Sequence, residues 1–136
     1  MITKRYSFLL LAVILLFALT ACAAAVPDNL LRAINQVEAG GKTNGTIVGD
    51  AGKAIGPFQI HYAYWMDSGV RGKYQDCHRY DYSVKVVTAY LNRYAYDALT
   101  RRDYEVLART HNGGPRGYKN PATKKYWEKV RKHLTS

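Results

Sequence analysis

One stretch near the N-terminus decides how much of this chain is available to fold. Phe8 to Ala18 reads Phe-Leu-Leu-Leu-Ala-Val-Ile-Leu-Leu-Phe-Ala, with no polar side chain. Lys4 and Arg5 precede it and small residues at Ala21 to Ala25 follow it. A positive start, an apolar middle and a small-residue zone make a secretory signal. Residues 1–26 are therefore set aside, and residues 27–136 are expected to form one domain. The competing expectation is a membrane-spanning helix, because Phe8 to Val26 holds only Thr20 as a frankly polar residue.

Export gives the cysteine count its meaning. Leu19-Thr20-Ala21-Cys22 matches a bacterial lipobox. Cys22 would then be lipidated and become the mature N-terminus, a membrane tether; cleavage after Ala23 or Ala25 without a lipid is the alternative. Either way Cys77 is left without an intrachain partner. A disulfide scaffold is excluded, and a core of about 110 residues must hold by packing. The formal net charge is +10, or +8 without Lys4 and Arg5. A basic exported protein concentrates on anionic polymers. Export disfavours nucleic acid and leaves cell wall or anionic lipid. The densest basic stretch, Lys124-Lys125 to Lys132, has the spacing of a solvated helix face. The four histidines and the remaining cysteine show no metal-ligand spacing, so neither metal nor cofactor is expected.

Along the rest of the chain the periodicity is mainly helical. Asp28 can cap a helix carrying Leu30, Leu31, Ile34 and Val37, which Gly40-Gly41 stops. Residues 41–56 are rich in Gly, Thr, Asn and Asp around Thr46-Ile47-Val48, and predict a small hairpin or irregular β-lobe. Pro57 is placed to start a second helix through Phe58-Gln59-Ile60 to Trp65. Ser68 to Arg79 reads as loop. A long helix over Asp81 to Tyr96 carries a Val84, Val87, Leu91, Tyr94 stripe with Tyr90 beside it. A shorter helix covers Arg102 to Arg109, Asn112-Gly113-Gly114-Pro115 predicts a turn, and a last helix runs from Pro121 to Leu134 with Tyr126, Trp127, Val130 and Leu134 inward. The fold class is α+β, mostly helical, with a small β-lobe.

Two acids stand in unlike settings. Glu38 falls in the last turn of the first helix, beside Val37 and before a glycine break. Desolvation there would keep it protonated. Asp50 falls in the Gly- and Thr-rich stretch, where backbone N–H groups and water can support a charged carboxylate. Breaking a glycosidic bond needs such a pair, one protonated and one ionised. By itself the twelve-residue spacing is weak evidence and favours the plain reading, Glu38 as a solvated helix-end residue.

The surrounding strings add weight. Val37-Glu38-Ala39-Gly40, Asp50, Gly56-Pro57-Phe58-Gln59-Ile60 with Tyr64-Trp65, Tyr90, His111-Asn112-Gly113-Gly114-Pro115 and Tyr126-Trp127 occur in that order. Together they resemble the invertebrate-type lysozyme family over nearly all of residues 30 to 130. The resemblance implies a lysozyme-like fold with a cleft between lobes, and hydrolysis of the β-1,4 bond between N-acetylmuramic acid and N-acetylglucosamine in peptidoglycan glycan chains. It puts the proton donor on Glu38 and the nucleophile or charge stabiliser on Asp50. It puts substrate contacts on His61, Tyr62, Ala63, Tyr64, Trp65, Met66 and Asp67, on Tyr90, and on His111, Asn112, Gly113 and Gly114. The aromatic residues suit sugar stacking, and equally suit a core; His111 suits a ligand contact at a turn or a structural bond to a neighbouring carbonyl; Gln59 suits holding a backbone group in the cleft or a plain structural role. The chain departs from the family at cysteines: Ile55, Ser68 and Tyr118 stand where relatives commonly carry them. No nucleophile for isopeptide cleavage stands out.

Two other readings fit part of the pattern. A lytic transglycosylase also uses a helix-end glutamate and a Gly-x-x-Gln segment, which Gly56-Pro57-Phe58-Gln59 matches, but it needs no second carboxylate. A non-catalytic cationic wall-binding or antimicrobial protein would need only the charge.

Overall fold

The computed structural model describes residues 22–134; the apolar run and its flanking basic residues lie outside them. No described helix is long and apolar enough to cross a membrane. In order come α1 (Asp28–Ala39), β1 (Val48–Gly49), β2 (Ala54–Ile55), β3 (Ile60–His61), α2 (Tyr62–Ser68), α3 (Tyr80–Tyr94), α4 (Tyr96–Arg101), α5 (Tyr104–Gly113) and α6 (Lys124–Lys132), with short 3-10 turns between them. The three strands form an antiparallel sheet in chain order, with Val48 opposite Ile55, Gly49 opposite Ala54, and Ala54 opposite His61. Helices and a small sheet lobe share one core, as the α+β expectation requires.

α1 ends where the glycines stop it. Gly40 is left-handed, and its N–H and that of Gly41 return to the Gln36 and Asn35 carbonyls. Leu30, Leu31 and Ile34 are buried from this helix, and Val37 is half-buried at its end. Pro27, not Asp28, is the N-cap residue, and no side chain caps the helix. The packed chain also reaches back past residue 27: Val26 is in the core, and Ala24 exchanges two hydrogen bonds with the Asn92 side chain.

Several expected boundaries move, each for a local reason. Pro57 does not start a helix. It is the second residue of a tight turn closed by Gln59 N–H onto the Gly56 carbonyl, and Ile60-His61 then pair as β3 before α2 begins at Tyr62. The loop after Ser68 holds a 3-10 turn over Tyr74–His78. The long helix starts at Tyr80 and breaks at Ala95. Its buried face is Tyr82, Ser83, Val86, Val87, Tyr90 and Leu91, so the stripe is rotated from the expected one and Val84 is only half-buried. The next long helix begins after Arg102, where the Asp103 side chain accepts from Val106 N–H. It then runs through His111, Asn112 and Gly113, so the expected turn is reduced to Gly114-Pro115. The last segment is a 3-10 turn over Pro121–Thr123 followed by α6, whose Val130 is fully buried and whose lysines are exposed.

Candidate active site

Glu38 enters the site because α1 stops just after it, at the lip of the sheet lobe. Its side chain is 18% exposed. The Tyr126 hydroxyl donates to Oε1 at 2.7 Å, and His111 Nε2 lies 3.7 Å from the same oxygen. Burial raises the Glu38 pKa above the ordinary carboxylate value, against the opposing pull of the Tyr126 hydrogen bond and the Lys129 charge. Desolvation wins because few donors reach the carboxyl to repay lost water.

Behind Glu38 lies a closely packed polar and aromatic group. His111 is buried at the C-terminal end of α5, its Nε2 3.2 Å from the Phe58 carbonyl and its Nδ1 3.0 Å from the Tyr64 hydroxyl. A carbonyl only accepts, so Nε2 carries the hydrogen and Nδ1 accepts from Tyr64. Burial pushes the His111 pKa down to about 4, and the Phe58 bond only partly offsets it. The imidazole is therefore neutral at pH 7. Tyr64 stacks on Tyr90 with ring centres 3.6 Å apart.

Asp50 stands in a different environment. It follows β1 in a left-handed turn with Ala51 and Gly52, at φ 48°, 53° and 90°. Left-handed backbone at two residues that carry a Cβ is strained, and such strain is found where a side chain must be aimed. The Asp50 side chain is 60% exposed, and Oδ2 lies 3.5 Å from His61 Nε2. A histidine thus faces the carboxylate where backbone N–H groups were expected. Ala54, in register with both Gly49 and His61, lines the cleft between them. Gln59, at φ 49°, donates through Nε2 to the Gly56 carbonyl and lies over Gly49, where a Cβ would come within 1.9 Å of its Oε1. Gln59 is therefore a brace for the turn, and it also lines the cleft.

The two acids share one cleft of about 370 Å³. Of the residues singled out from the sequence, His61, Ala63, Tyr64, Asp67, Tyr90, His111, Asn112 and Gly114 line it with them. Tyr62 is exposed and packs on Trp65 and edge-on to Tyr74. Trp65 donates through its indole to the Tyr82 hydroxyl, and with Met66 it lines a separate depression. Gly113 faces Thr123, whose Cγ2 would be 2.6 Å from a Cβ there. Tyr126 was read from the sequence only as an inward-facing residue. Its pairing with Glu38 joins residues 88 positions apart, and only its place in the Tyr126-Trp127 string marked it. Among the described residues no group of three or more His, Cys, Asp or Glu side chains could hold a metal ion.

Comparison with known proteins agrees with this architecture. The model of the family described as Destabilase matches residues 27–133. A lysozyme of Magallana gigas is 38% identical over 120 residues, covering 87% of this chain and 88% of that protein. An invertebrate-type lysozyme of Ruditapes philippinarum is 36% identical over 110 residues, covering 79% and 81%. The crystal structure of Meretrix lusoria lysozyme, in complex with PliI of Aeromonas hydrophila, superposes with a TM-score of 0.66 at 34% identity, over 79% of this chain and 89% of that one. Tapes japonica lysozyme gives 0.64 at 34% identity, over 78% and 89%. With its sheet lobe, its cleft and its sequence all in agreement, the chain belongs to the Destabilase family, the invertebrate-type lysozymes.

Proposed function

We propose that this lysozyme-family glycoside hydrolase cuts the β-1,4 bond between N-acetylmuramic acid and N-acetylglucosamine in peptidoglycan, with Glu38 as proton donor and Asp50 as nucleophile or charge stabiliser. The observation that carries the reading is the contrast inside one cleft: a mostly buried Glu38 with a raised pKa, and an exposed Asp50 across from it. Glu38 delivers its proton to the glycosidic oxygen as the C1–O bond breaks. Asp50 attacks or stabilises the resulting sugar cation. Water then supplies the hydroxyl at C1 and its proton returns to Glu38. His61, Ala63, Asp67, Asn112 and Gly114 hold the sugars along the cleft, and Tyr62, Trp65 and Met66 extend that surface beside it.

Export to the wall fits the N-terminal segment and the basic charge. The Ala24–Asn92 pair and the buried Val26 favour processing that leaves Ala24 in place, with Cys22 exposed two residues ahead as the point of any lipid tether.

The test is a turbidity assay on bacterial walls with parent, Glu38→Gln and Asp50→Asn side by side. Glu38→Gln should lose about 10²-fold or more, and Asp50→Asn most of the activity. Products should carry reducing ends. Full lysis by Glu38→Gln would leave only the charge to act. Anhydro-muramic products with an active Asp50→Asn would make the enzyme a transglycosylase.

A further inference from the structure

A carboxylic acid has two oxygens but one proton, and which oxygen carries it decides whether the acid can reach its substrate. Two polar groups approach Oε1 of Glu38: the Tyr126 hydroxyl from α6 at 2.7 Å and His111 Nε2 from α5 at 3.7 Å. Only Tyr126 hydrogen-bonds to it; the one hydrogen of His111 goes to the Phe58 carbonyl. Burial holds the Tyr126 phenol well above its ordinary pKa, so it stays protonated. The Phe58 carbonyl requires the hydrogen of His111 on Nε2. A proton on Oε1 would face the hydrogen that Tyr126 directs at it. A carbonyl-type Oε1 accepts instead, which leaves the proton on Oε2.

We propose that Tyr126 is a positioning residue which keeps the acid proton of Glu38 on Oε2, the oxygen left to meet the glycosidic oxygen. This rests on Glu38 being the proton donor. The groups that face the carboxyl are Tyr126 and Lys129 from α6, His111 from α5 and Tyr64 from α2, with Asp50 across the cleft. Lys129 is the one cation among them, and His111 is neutral with its ring nitrogens bonded to Phe58 and Tyr64. Tyr126 therefore does two things. It fixes the carboxyl rotamer through Oε1, and it steadies the ionised form that Glu38 passes through after giving up its proton.

Tyr126→Phe removes the hydroxyl alone. On a soluble oligomer of alternating N-acetylglucosamine and N-acetylmuramic acid, kcat should fall about tenfold with KM within about twofold of the parent. The basic limb of the kcat pH profile should move to higher pH, because a donor that favoured the carboxylate is gone. A structural role alone would lower Tm and leave the limb where it was. An unmoved limb, a limb moved down, or a parent-like kcat overturns the proposal. Glu38→Gln run alongside separates the two readings. If it is inactive while Tyr126→Phe behaves as the parent, only the positioning role fails; if it is active, the acid assignment itself fails. A measurement on the parent covers the case in which the phenylalanine variant does not fold. In infrared difference spectra of parent against Glu38→Gln at acidic pH, the Glu38 carbonyl stretch should be lowered by hydrogen bonding. A frequency typical of a free acid carbonyl overturns the assignment.

Discussion

His111 shows how much of one residue's setting lies outside its local sequence. Its place in the His-Asn-Gly-Gly-Pro string marked it for the site, and it lines the cleft. Yet it is 7% exposed, both its ring nitrogens have protein partners, and it belongs to the wall behind the acid. Nothing in a linear sequence announces that Phe58 and Tyr64, 53 and 47 positions away, will meet it. The consequence is a pH dependence of stability. In the unfolded chain His111 titrates near its ordinary value of 6.5, and in the fold near 4. Between those values the unfolded state binds the extra proton, so stability falls as pH drops through that window, by on the order of 3 kcal/mol for this group alone. Glu38 has the opposite sign: its raised pKa costs the fold stability at high pH, a cost relieved as pH falls. Urea unfolding at pH 7 and pH 4 should therefore show the parent losing more stability on acidification than His111→Gln. Equal losses in the two proteins would remove His111 as the cause.

At the level of elements, the readable parts were those with local punctuation. Gly40-Gly41 ended α1 as expected, and the Gly- and Thr-rich stretch did become a sheet lobe. The misread parts were decided by contacts from elsewhere. Gly56-Pro57-Phe58-Gln59 has the look of a helix start, but Gly56 sits at φ 79° against the backbone of the Tyr74–His78 turn. A Cβ on Gly56 would meet the Cys77 carbonyl oxygen at 1.8 Å and its carbon at 2.8 Å. Only glycine fits there, and the close approach lets Gly56 N–H reach the Ile47 carbonyl at 2.8 Å and Asn35 Nδ2 reach the Pro57 carbonyl at 3.0 Å. This turn joins α1 to β3 and so sets the distance between Glu38 and the sheet that carries Asp50. Gly56→Ala combines an unfavourable φ with a backbone clash and should cost roughly 2–4 kcal/mol. Thermal unfolding checks this. A variant within 0.5 kcal/mol of the parent, a margin typical of neutral surface changes, would show that the turn can open without loss.

For the molecule as a whole, the question is what holds a lysozyme-family fold that has no disulfide among its described residues. Cys22 is exposed and free, Cys77 is buried and free, and burial pushes the Cys77 thiol up to about 12, so it is a small core residue and not a reactive thiolate. At the positions where the family resemblance led us to expect cysteines, other chemistry stands. Ile55 is buried in the core cluster. Ser68 donates to the Trp65 carbonyl at 2.6 Å and accepts from Val70 N–H, closing the end of α2. Near Tyr118, the buried Arg109 ties α5 to the following turns through the Thr123 hydroxyl at 2.9 Å and the Asn120 carbonyl at 3.2 Å, and pairs within α5 with Glu105 at 2.8 Å. Gly117 packs so closely on Arg109 that a Cβ would lie 2.1 Å from its carbonyl oxygen. Phe58, fully buried, packs on Tyr80 with ring centres 5.3 Å apart and joins the sheet lobe to α3. A fold held this way has no covalent bond for a reductant to break. Excess dithiothreitol should therefore leave both Tm and lytic activity unchanged, whereas removing a native disulfide from a small secreted domain typically costs about 2–5 kcal/mol. A clear fall in Tm under reducing conditions would mean that Cys77 finds a partner after all. Arg109→Ala should in contrast lower Tm in either buffer, because it leaves the buried Thr123 hydroxyl and the Glu105 carboxylate without their shared donor.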